Sequence, residues 1–214
     1  STMEDMKLLK EAMGDLEEDK VLEILNKVMA DGGSQAQEAM QACQEGMNIV
    51  GDRFADQEYF VSDLIFSGEL MNSAMDILRP ALIKATGEGL GKMILCTVEG
   101  DLHDIGKNIV RAMLEASGFE VIDLGIDVKP ADIVKTAREQ GIKIIGLSGV
   151  LTLAIDSMKA TVEAFKDAGM RDQVHIVIGG APVTADVCKL VGADGWAINP
   201  ADTIKLCREW AKEG

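Results

Sequence analysis

Basic charge is scarce in this sequence, and that shortage excludes one class of function. The 214 residues include 21 lysines and arginines against 36 aspartates and glutamates, a formal net charge of -15. A protein that binds nucleic acid through its phosphates needs a basic surface, so we expect no nucleic-acid partner. Hydrophobic residues nevertheless make up 47 % of the chain. This content is enough for one or two packed cores and argues against intrinsic disorder.

Long apolar runs and paired cysteines are also missing. No run approaches the roughly 20 apolar residues that span a bilayer, so we expect a cytoplasmic protein with no membrane partner. The four cysteines are widely scattered, and no Cys-x-x-Cys pair occurs. A disulfide scaffold and a structural zinc site are therefore not expected.

The pattern of apolar residues up to about residue 87 is helical. Few residues in this part are β-branched, and the spacing predicts a four-helix bundle. The helices are expected at residues 3–13, 20–30, 34–54 and 59–83. Ser34 is a candidate N-cap for the third helix, after the break at residues 31–33. Glycines then cluster at residues 86–91, which is typical of a flexible linker that could act as a hinge.

From residue 88 onward, short runs rich in valine and isoleucine alternate with amphipathic stretches. This alternation predicts repeated βα units and therefore an α/β fold. Strands are expected at residues 93–98, 120–124, 142–147, 174–178 and 195–198. Because the runs are apolar throughout, we expect a parallel sheet covered by helices on both faces. The predicted domains are a helical domain at 3–87 and a sheet domain at 88–214, with any ligand at the carboxyl ends of the strands.

Histidine occurs twice, so each copy can be weighed by itself. His175 lies inside an apolar run and is interpreted as a core or edge-strand residue. His103 directly follows the first strand of the sheet domain, on a loop where functional side chains collect. Asp101, two residues earlier, could accept the hydrogen of one imidazole nitrogen and leave the other free as a base or metal ligand. One histidine is a poor zinc or iron site, but it suffices for a metal whose other positions are filled by a macrocycle.

Two further strands end in small or hydroxyl-bearing residues at the same edge of the sheet. Ser148 and Thr152 follow the third strand, and Gly179-Gly180 follows the fourth. Paired glycines leave room for a bulky ligand that passes close to the backbone, although a tight turn and a helix cap are ordinary explanations for these residues. Glycine-rich phosphate-binding motifs are absent from the sequence, so a nucleotide cofactor has no support.

Three motifs therefore occur in order along the sheet domain. They are Asp101-x-His103-x-x-Gly106, Ser148-x-Val150 and Gly179-Gly180. The set resembles the Asp-x-His-x-x-Gly, Ser-x-Leu, Gly-Gly signature of B12-binding domains, with Val150 where leucine is usual. The amino-terminal half resembles the helical cap that precedes this domain in methionine synthase and in corrinoid proteins of methyltransferase systems, with Ser62 where a proline is frequent. The resemblance implies a Rossmann-like, flavodoxin-like five-stranded parallel sheet with a four-helix cap.

The resemblance also implies the cofactor and its contacts. Cobalamin, or a related corrinoid with its cobalt, would bind with its own benzimidazole displaced and with His103 as the axial ligand. Asp101 would hold the imidazole, and Ser148 would extend the hydrogen-bond chain. Phe54 and Val61 of the cap would cover the upper face of the cobalt. The remaining implied cofactor contacts are Gly100, Leu102, Asp104, Gly106, Val150, Thr152, Gly179 and Gly180.

The function implied by this resemblance is that of a corrinoid methyl carrier, which cycles between Co(I) and methyl-Co(III). Its implied partners are a substrate-specific methyltransferase, an acceptor methyltransferase acting on tetrahydrofolate or a thiol such as coenzyme M, and a reductive activating protein. Because these 214 residues leave no room for a substrate-binding barrel, we expect a cofactor-bearing component of a methyltransferase complex rather than a complete enzyme. Two alternatives stay open: the small subunit of an adenosylcobalamin mutase, which needs no helical cap, and a B12-dependent sensor or regulator, which normally carries a basic DNA-binding module.

Overall fold

The computed structural model describes residues 3–86 and 89–213. Its internal contacts divide the chain into a helical unit, Ser1–Gly89 with Ala112–Gly118, and a sheet unit, Leu90–Arg111 with Phe119–Gly214. The predicted linker includes residues 87 and 88, which lie outside the described part, so the domain boundary and the hinge stay predictions. Within the described residues, no helix has both the length and the hydropathy needed to cross a membrane.

Four helices form the main part of the helical unit, as the apolar spacing predicts. They are α1 (Met3–Gly14), α2 (Glu18–Met29), α3 (Ala36–Ala55) and α4 (Val61–Thr86). The prediction that Ser34 caps α3 is wrong, because Gln35 stands at the N-cap position without a side-chain cap bond. The Ser34 hydroxyl instead donates to Asp31 Oδ2 at 2.6 Å, and this bond holds the Ser34 side chain in the turn before the helix.

Close packing of α1 against α3 depends on glycine. A Cβ at Gly46 would lie 2.5 Å from Met13 Cβ and 2.9 Å from the carbonyl oxygen of Lys10. The backbones of the two helices therefore approach more closely than a side chain at residue 46 permits. Gly51, on the same helix, has open space around its Cβ position.

The sheet unit has five parallel strands in the order β2-β1-β3-β4-β5. The strands are β1 (Gly91–Val98), β2 (Phe119–Val128), β3 (Ile144–Ser148), β4 (His175–Gly179) and β5 (Gly195–Ala197). The helices that follow β1 along the chain are α5 (Ile105–Ala116), α6 (Pro130–Gln140), α7 (Ala154–Asp167), α8 (Ala185–Val191) and α9 (Pro200–Glu213), with a 3₁₀ turn at Arg171–Gln173. Only residues 105–111 of α5 belong to the sheet unit. This architecture confirms the predicted fold class.

The sheet core is apolar on the central strands. Ile94 of β1, Ile145 of β3 and Ile176 of β4 are fully buried. They are neighbours across the sheet in register, because Ile94 pairs with Ile145 and Ile145 pairs with Ile176. From β1 the chain passes to β2 on one side, and from β2 it crosses back to β3 on the other side of β1, so the strand order reverses at β1. Ligands bind at the carboxyl edge of such a switch point, which is where the loop carrying His103 begins.

The second strand runs to Val128, beyond its predicted end at residue 124. Gly125 and Asp127 have positive φ angles, and the register with β1 shifts between Leu95 and Cys96 and again between Cys96 and Val98. These irregularities are β-bulges, which let pairing continue through residues that the sequence pattern marks as strand breakers.

The contrast between Gly46 and Gly51 gives a matched pair of substitutions. We expect Gly46→Ala to destabilise the helical unit by about 1–3 kcal/mol, because its methyl group overpacks the contact with α1. Gly51→Ala should stabilise it by about 0.5–1 kcal/mol, because alanine is the better helix former and meets no neighbour. Urea unfolding followed by circular dichroism at 222 nm measures both. Equal stability of the two variants would contradict the close helix contact.

Candidate functional site

The candidate site lies on the loops that follow β1 and β3 in the sheet unit. Asp101 and His103 stand between β1 and α5, while Val150 and Leu151 stand between β3 and α7. The Asp101 side chain is fully buried, and the His103 side chain is 53 % exposed. The loop thus exposes the imidazole of His103 to solvent, while the carboxylate of Asp101 that contacts it is buried.

Asp101 uses both carboxylate oxygens to join the two loops. Its Oδ1 lies 3.0 Å from Nδ1 of His103 and accepts the backbone N–H of the same residue at 3.0 Å. Its Oδ2 accepts the backbone N–H groups of Val150 at 2.7 Å and Leu151 at 3.1 Å. Because an ionised carboxylate only accepts hydrogen bonds, Nδ1 of His103 must carry the proton. Nε2 is then the nitrogen whose lone pair is available.

Two opposing effects set the pKa of Asp101. Burial raises the pKa, but the backbone N–H bonds from His103, Leu151 and Val150 and the bond from the His103 ring lower it, and the net direction is downward. The carboxyl group therefore stays ionised at neutral pH, and it continues to act as an acceptor for the imidazole.

Ser148 was expected to extend the hydrogen-bond chain from Asp101. It lies half-buried at the end of β3, opposite Thr97 of β1. Among the described hydrogen bonds of the Asp101 carboxylate, the partners on the β3 side are the backbone amides of Val150 and Leu151. The relay through Ser148 stays a prediction. Backbone amides leave no mark in the amino-acid sequence, so sequence reasoning could not have found them.

The glycine pair after β4 is required by the protein's own backbone. Gly180 has a φ of 122°, and a Cβ there would collide with the carbonyl oxygen of Gly149. A Cβ at Gly179 would lie 3.2 Å from the carbonyl oxygen of Ala197 on β5. Gly180 is thus accounted for by a tight crossing of the loops after β3 and β4, and Gly179 by the close approach of the paired strands β4 and β5, whereas the sequence interpretation was room for a ligand. Their contact with a cofactor stays a prediction.

Gly106 behaves differently from the glycine pair. It lies exposed in the first turn of α5, and a Cβ there would meet no atom within 4 Å. Its φ is not in the left-handed region either, because it is absent from the positive-φ glycines of the described chain. The described residues thus give no internal reason for glycine at this position. Space kept free three residues after His103 is what a large ligand held by that histidine would use.

Apolar side chains are exposed on the same two loops and near the end of β2. Val150 is 42 % exposed, and the other large ones are Leu102, Ile126, Leu151 and Leu153. Thr152 is also exposed, and Asp104 is half-buried just before α5. Exposed apolar groups clustered on loops are typical of a surface that meets a ligand or partner.

The two predicted contacts from the cap belong to the helical unit. Phe54 lies near the end of α3 and is 40 % exposed, and Val61 begins α4 and is 50 % exposed. The intervening turn is held by Arg53, whose Nη1 donates to the carbonyl oxygen of Gly14 at 2.9 Å and to Tyr59 Oη at 2.9 Å. The contact of Phe54 and Val61 with a cofactor stays a prediction.

Three charged residues that sequence reasoning missed lie near the site. Lys107 of α5 is 3 % exposed, and its Nζ contacts both carboxylate oxygens of Asp123 on β2 at 2.8 Å. Asp127, at the second bulge of β2, accepts the Gly100 N–H at 2.7 Å. The sequence signal for the Lys107–Asp123 ion pair was a lysine on the otherwise apolar face of α5. The sequence carried no signal for Asp127, because its position results from the bulge in the pairing of β2 with β1.

The donor set fits a metal that brings its own ligands. Within the described residues, no group of three or more histidine, cysteine, aspartate or glutamate side chains is placed to hold an ion. A single oriented imidazole with open, apolar surroundings instead suits a metal macrocycle. His103 would supply one axial nitrogen, and the exposed apolar side chains would meet the ring.

Comparisons with known proteins agree with this geometry. Two family models, each described as a B12 binding domain, match residues 91–204 and residues 6–79. A corrinoid protein of Desulfitobacterium hafniense strain Y51 is 37 % identical over 94 % of this chain and 94 % of its own. Trimethylamine corrinoid protein 1 of Methanosarcina acetivorans is 34 % identical over 93 % of each chain.

A solved structure adds a match in three dimensions. The crystal structure of a cobalamin-binding protein from Desulfitobacterium hafniense DCB-2 has a TM-score of 0.77 and 52 % identity, and the match covers 96 % of this chain and 98 % of that one. These similarities confirm the predicted family, fold and corrinoid cofactor. The chain belongs to the B12-binding corrinoid proteins.

Proposed function

We propose that this protein is the corrinoid-bearing methyl carrier of a multi-component methyltransferase system. The observation that carries the proposal is the Asp101–His103 pair, in which a buried carboxylate holds Nδ1 at 3.0 Å and leaves Nε2 of an exposed imidazole free. The corrinoid, when bound, supplies a cobalt that can accept a methyl group from one enzyme and give it to another.

His103 is proposed to bind the cobalt through Nε2 in place of the cofactor's own benzimidazole. Asp101 keeps the proton on Nδ1 through the shared hydrogen bond, so that Nε2 is the nitrogen that can bind the cobalt. The second oxygen of Asp101 accepts hydrogen bonds from the loop after β3, so that loop fixes the position of the carboxylate. The protein thereby controls the orientation of the axial nitrogen with a carboxylate that the solvent does not reach.

The surroundings of His103 are proposed to exclude water. Gly106 leaves open space in the first turn of α5, and the exposed apolar side chains on the two loops would provide a dry contact surface. Phe54 and Val61 are proposed to shield the opposite face of the cofactor, a role that rests on the family resemblance. In this proposal the helical domain comprises residues 3–87 and the corrinoid domain residues 88–214.

The partners in this proposal follow from the similarity to known corrinoid proteins. Because a 34 % identical relative is a trimethylamine corrinoid protein, a methylated amine is the first donor to test. A substrate-specific methyltransferase would deliver the methyl group in the cytoplasm. An acceptor methyltransferase would pass it to tetrahydrofolate or a thiol, and a reductive activating protein would restore the carrier.

The direct test is transfer of a labelled methyl group. The protein is loaded with hydroxocobalamin, reduced, and incubated with ¹⁴C-methylated amines and donor methyltransferases from the same genome. We expect up to one labelled methyl group per corrinoid, held by the protein after gel filtration and released when an acceptor enzyme and thiol are added. Failure of the protein to retain corrinoid, or label that stays bound with every acceptor, would overturn the proposal.

Removal of the imidazole tests the ligation itself. We expect His103→Ala, loaded with cob(II)alamin, to lose the absorption and electron paramagnetic resonance signals of an axial protein nitrogen while the apoprotein stays folded. His175→Ala is the matched control, because His175 begins β4 at the amino edge of the sheet, whereas His103 lies at the carboxyl edge. Its ring stacks on that of Trp210, with 5.0 Å between the ring centroids. Identical spectra for wild type and His103→Ala would exclude the ligation.

The lowered pKa of Asp101 gives a pH-dependent prediction. Asp101→Asn leaves one or more buried N–H groups without an acceptor, so we expect a loss of about 1–3 kcal/mol in the free energy of unfolding at neutral pH. Since the folded-state pKa is depressed, the wild-type advantage is complete above about pH 4 and shrinks as the pH falls through the folded-state value. Urea unfolding of apoprotein at several pH values measures it. A difference that does not change between neutral and acidic pH would contradict the assigned charge.

A further inference from the structure

The second bulge of β2 places an aspartate in an unusual backbone conformation. Asp127 has a φ of 52°, in the left-handed region that side-chain-bearing residues seldom adopt. The bulge lies where the register between β1 and β2 shifts, between Cys96 and Val98. The strand is thereby bent where it passes the loop that carries Asp101 and His103.

Asp127 makes hydrogen bonds on both sides of Asp101. Its Oδ1 accepts the N–H of Gly100 at 2.7 Å, and its own N–H lies 3.1 Å from the carbonyl oxygen of Asp101. The same N–H reaches Thr97 Oγ1 at 2.9 Å. The Thr97 hydroxyl, which is fully buried, donates to the Asp101 carbonyl oxygen at 2.6 Å. The residue before Asp101 and the carbonyl of Asp101 are therefore both tied to one residue of β2.

We propose that Asp127 is a positioning residue for the axial ligand: by fixing the backbone on both sides of Asp101, it holds the carboxylate that orients the His103 ring. The cofactor side of this inference rests on the proposed function. Asp127 itself would touch neither cobalt nor corrin ring in this role. Its contribution is the fixed direction of Asp101 Oδ1 toward His103 Nδ1.

The residue at this position has to satisfy two requirements. It must offer an acceptor to the Gly100 N–H, and it must tolerate the left-handed conformation. Asparagine meets both requirements, because its side-chain oxygen accepts and it is among the residues that enter this region most readily. Glycine meets only the second. Asp127→Asn and Asp127→Gly therefore separate the acceptor from the backbone conformation.

The first readout is the tautomer of His103 in the apoprotein, which needs no corrinoid. Proteins labelled with ¹⁵N at histidine are compared at alkaline pH, where imidazole is neutral, and the ring nitrogen shifts report which nitrogen carries the proton. His175 is the internal reference. We expect the Nδ1–H form of His103 in wild type and in Asp127→Asn, and in Asp127→Gly a shift toward the tautomer mixture of free imidazole, with unchanged His175 signals in all three.

The second readout is the binding of aquocobinamide, which lacks the nucleotide base and so takes its axial nitrogen from the protein alone. We expect about a tenfold or greater loss of affinity in Asp127→Gly and near wild-type affinity in Asp127→Asn, as for other groups that orient metal-binding histidines. Titrations followed by absorbance measure it.

The outcomes of the two readouts separate the two proposals. If Asp127→Gly keeps the wild-type tautomer, or if Asp127→Asn changes it as much as Asp127→Gly does, the positioning role is overturned. If wild type fails to bind aquocobinamide while the tautomer responds as expected, corrinoid ligation by His103 fails and the positioning of His103 by Asp127 stands. If Asp127→Gly does not fold, Thr97→Val is the substitute, because it removes the hydrogen bond from the Thr97 hydroxyl to the Asp101 carbonyl oxygen. We expect this variant to shift the His103 tautomer in the same direction. An unshifted tautomer in Thr97→Val would then overturn the positioning role of Asp127.

Discussion

One buried carboxylate joins the parts of the sheet unit that form the site. Asp101 is closed to solvent, and its two oxygens accept bonds from His103 on one loop and from Val150 and Leu151 on another. A buried charge without such partners would be strongly unfavourable, so the two loops must keep their arrangement for the carboxylate to stay ionised. The orientation of His103 is therefore coupled to the packing of the β1 and β3 loops.

Backbone conformation elsewhere in the sheet unit supports the same arrangement. Gly180 permits the loop after β4 to cross Gly149, whose own Cβ position lies 3.5 Å from Asp101 Oδ2. The bulges of β2 bring Asp127 beside Gly100, and the buried Lys107–Asp123 ion pair joins α5 to β2. Because α5 begins two residues after His103, each of these contacts restrains the loop that carries the imidazole.

Much of the fold could be predicted from the sequence, and so could the hydrogen bond between Asp101 and His103. The apolar runs predict the five strands. Asp101 and His103 stand out because the histidine follows the first strand and the aspartate lies two residues before the histidine. The partners of Asp101 could not be predicted, since they are backbone amides brought close by β3. The full length of β2 could not be predicted either, because Gly125 and Asp127 break strands unless a neighbouring strand accommodates the bulges. The tight crossing at Gly180 likewise depends on Gly149, which is distant in sequence.

The central claim is that a protein imidazole, fixed by Asp101, is the axial ligand of the corrinoid. It is tested most directly by electron paramagnetic resonance of the cob(II)alamin-loaded protein, prepared once with natural histidine and once with histidine labelled with ¹⁵N. If His103 binds the cobalt, the nitrogen superhyperfine splitting changes from a triplet to a doublet on labelling, because the ligand nitrogen belongs to the protein. A triplet that persists in the labelled protein would show that the cofactor's own base remains bound, and it would contradict the account.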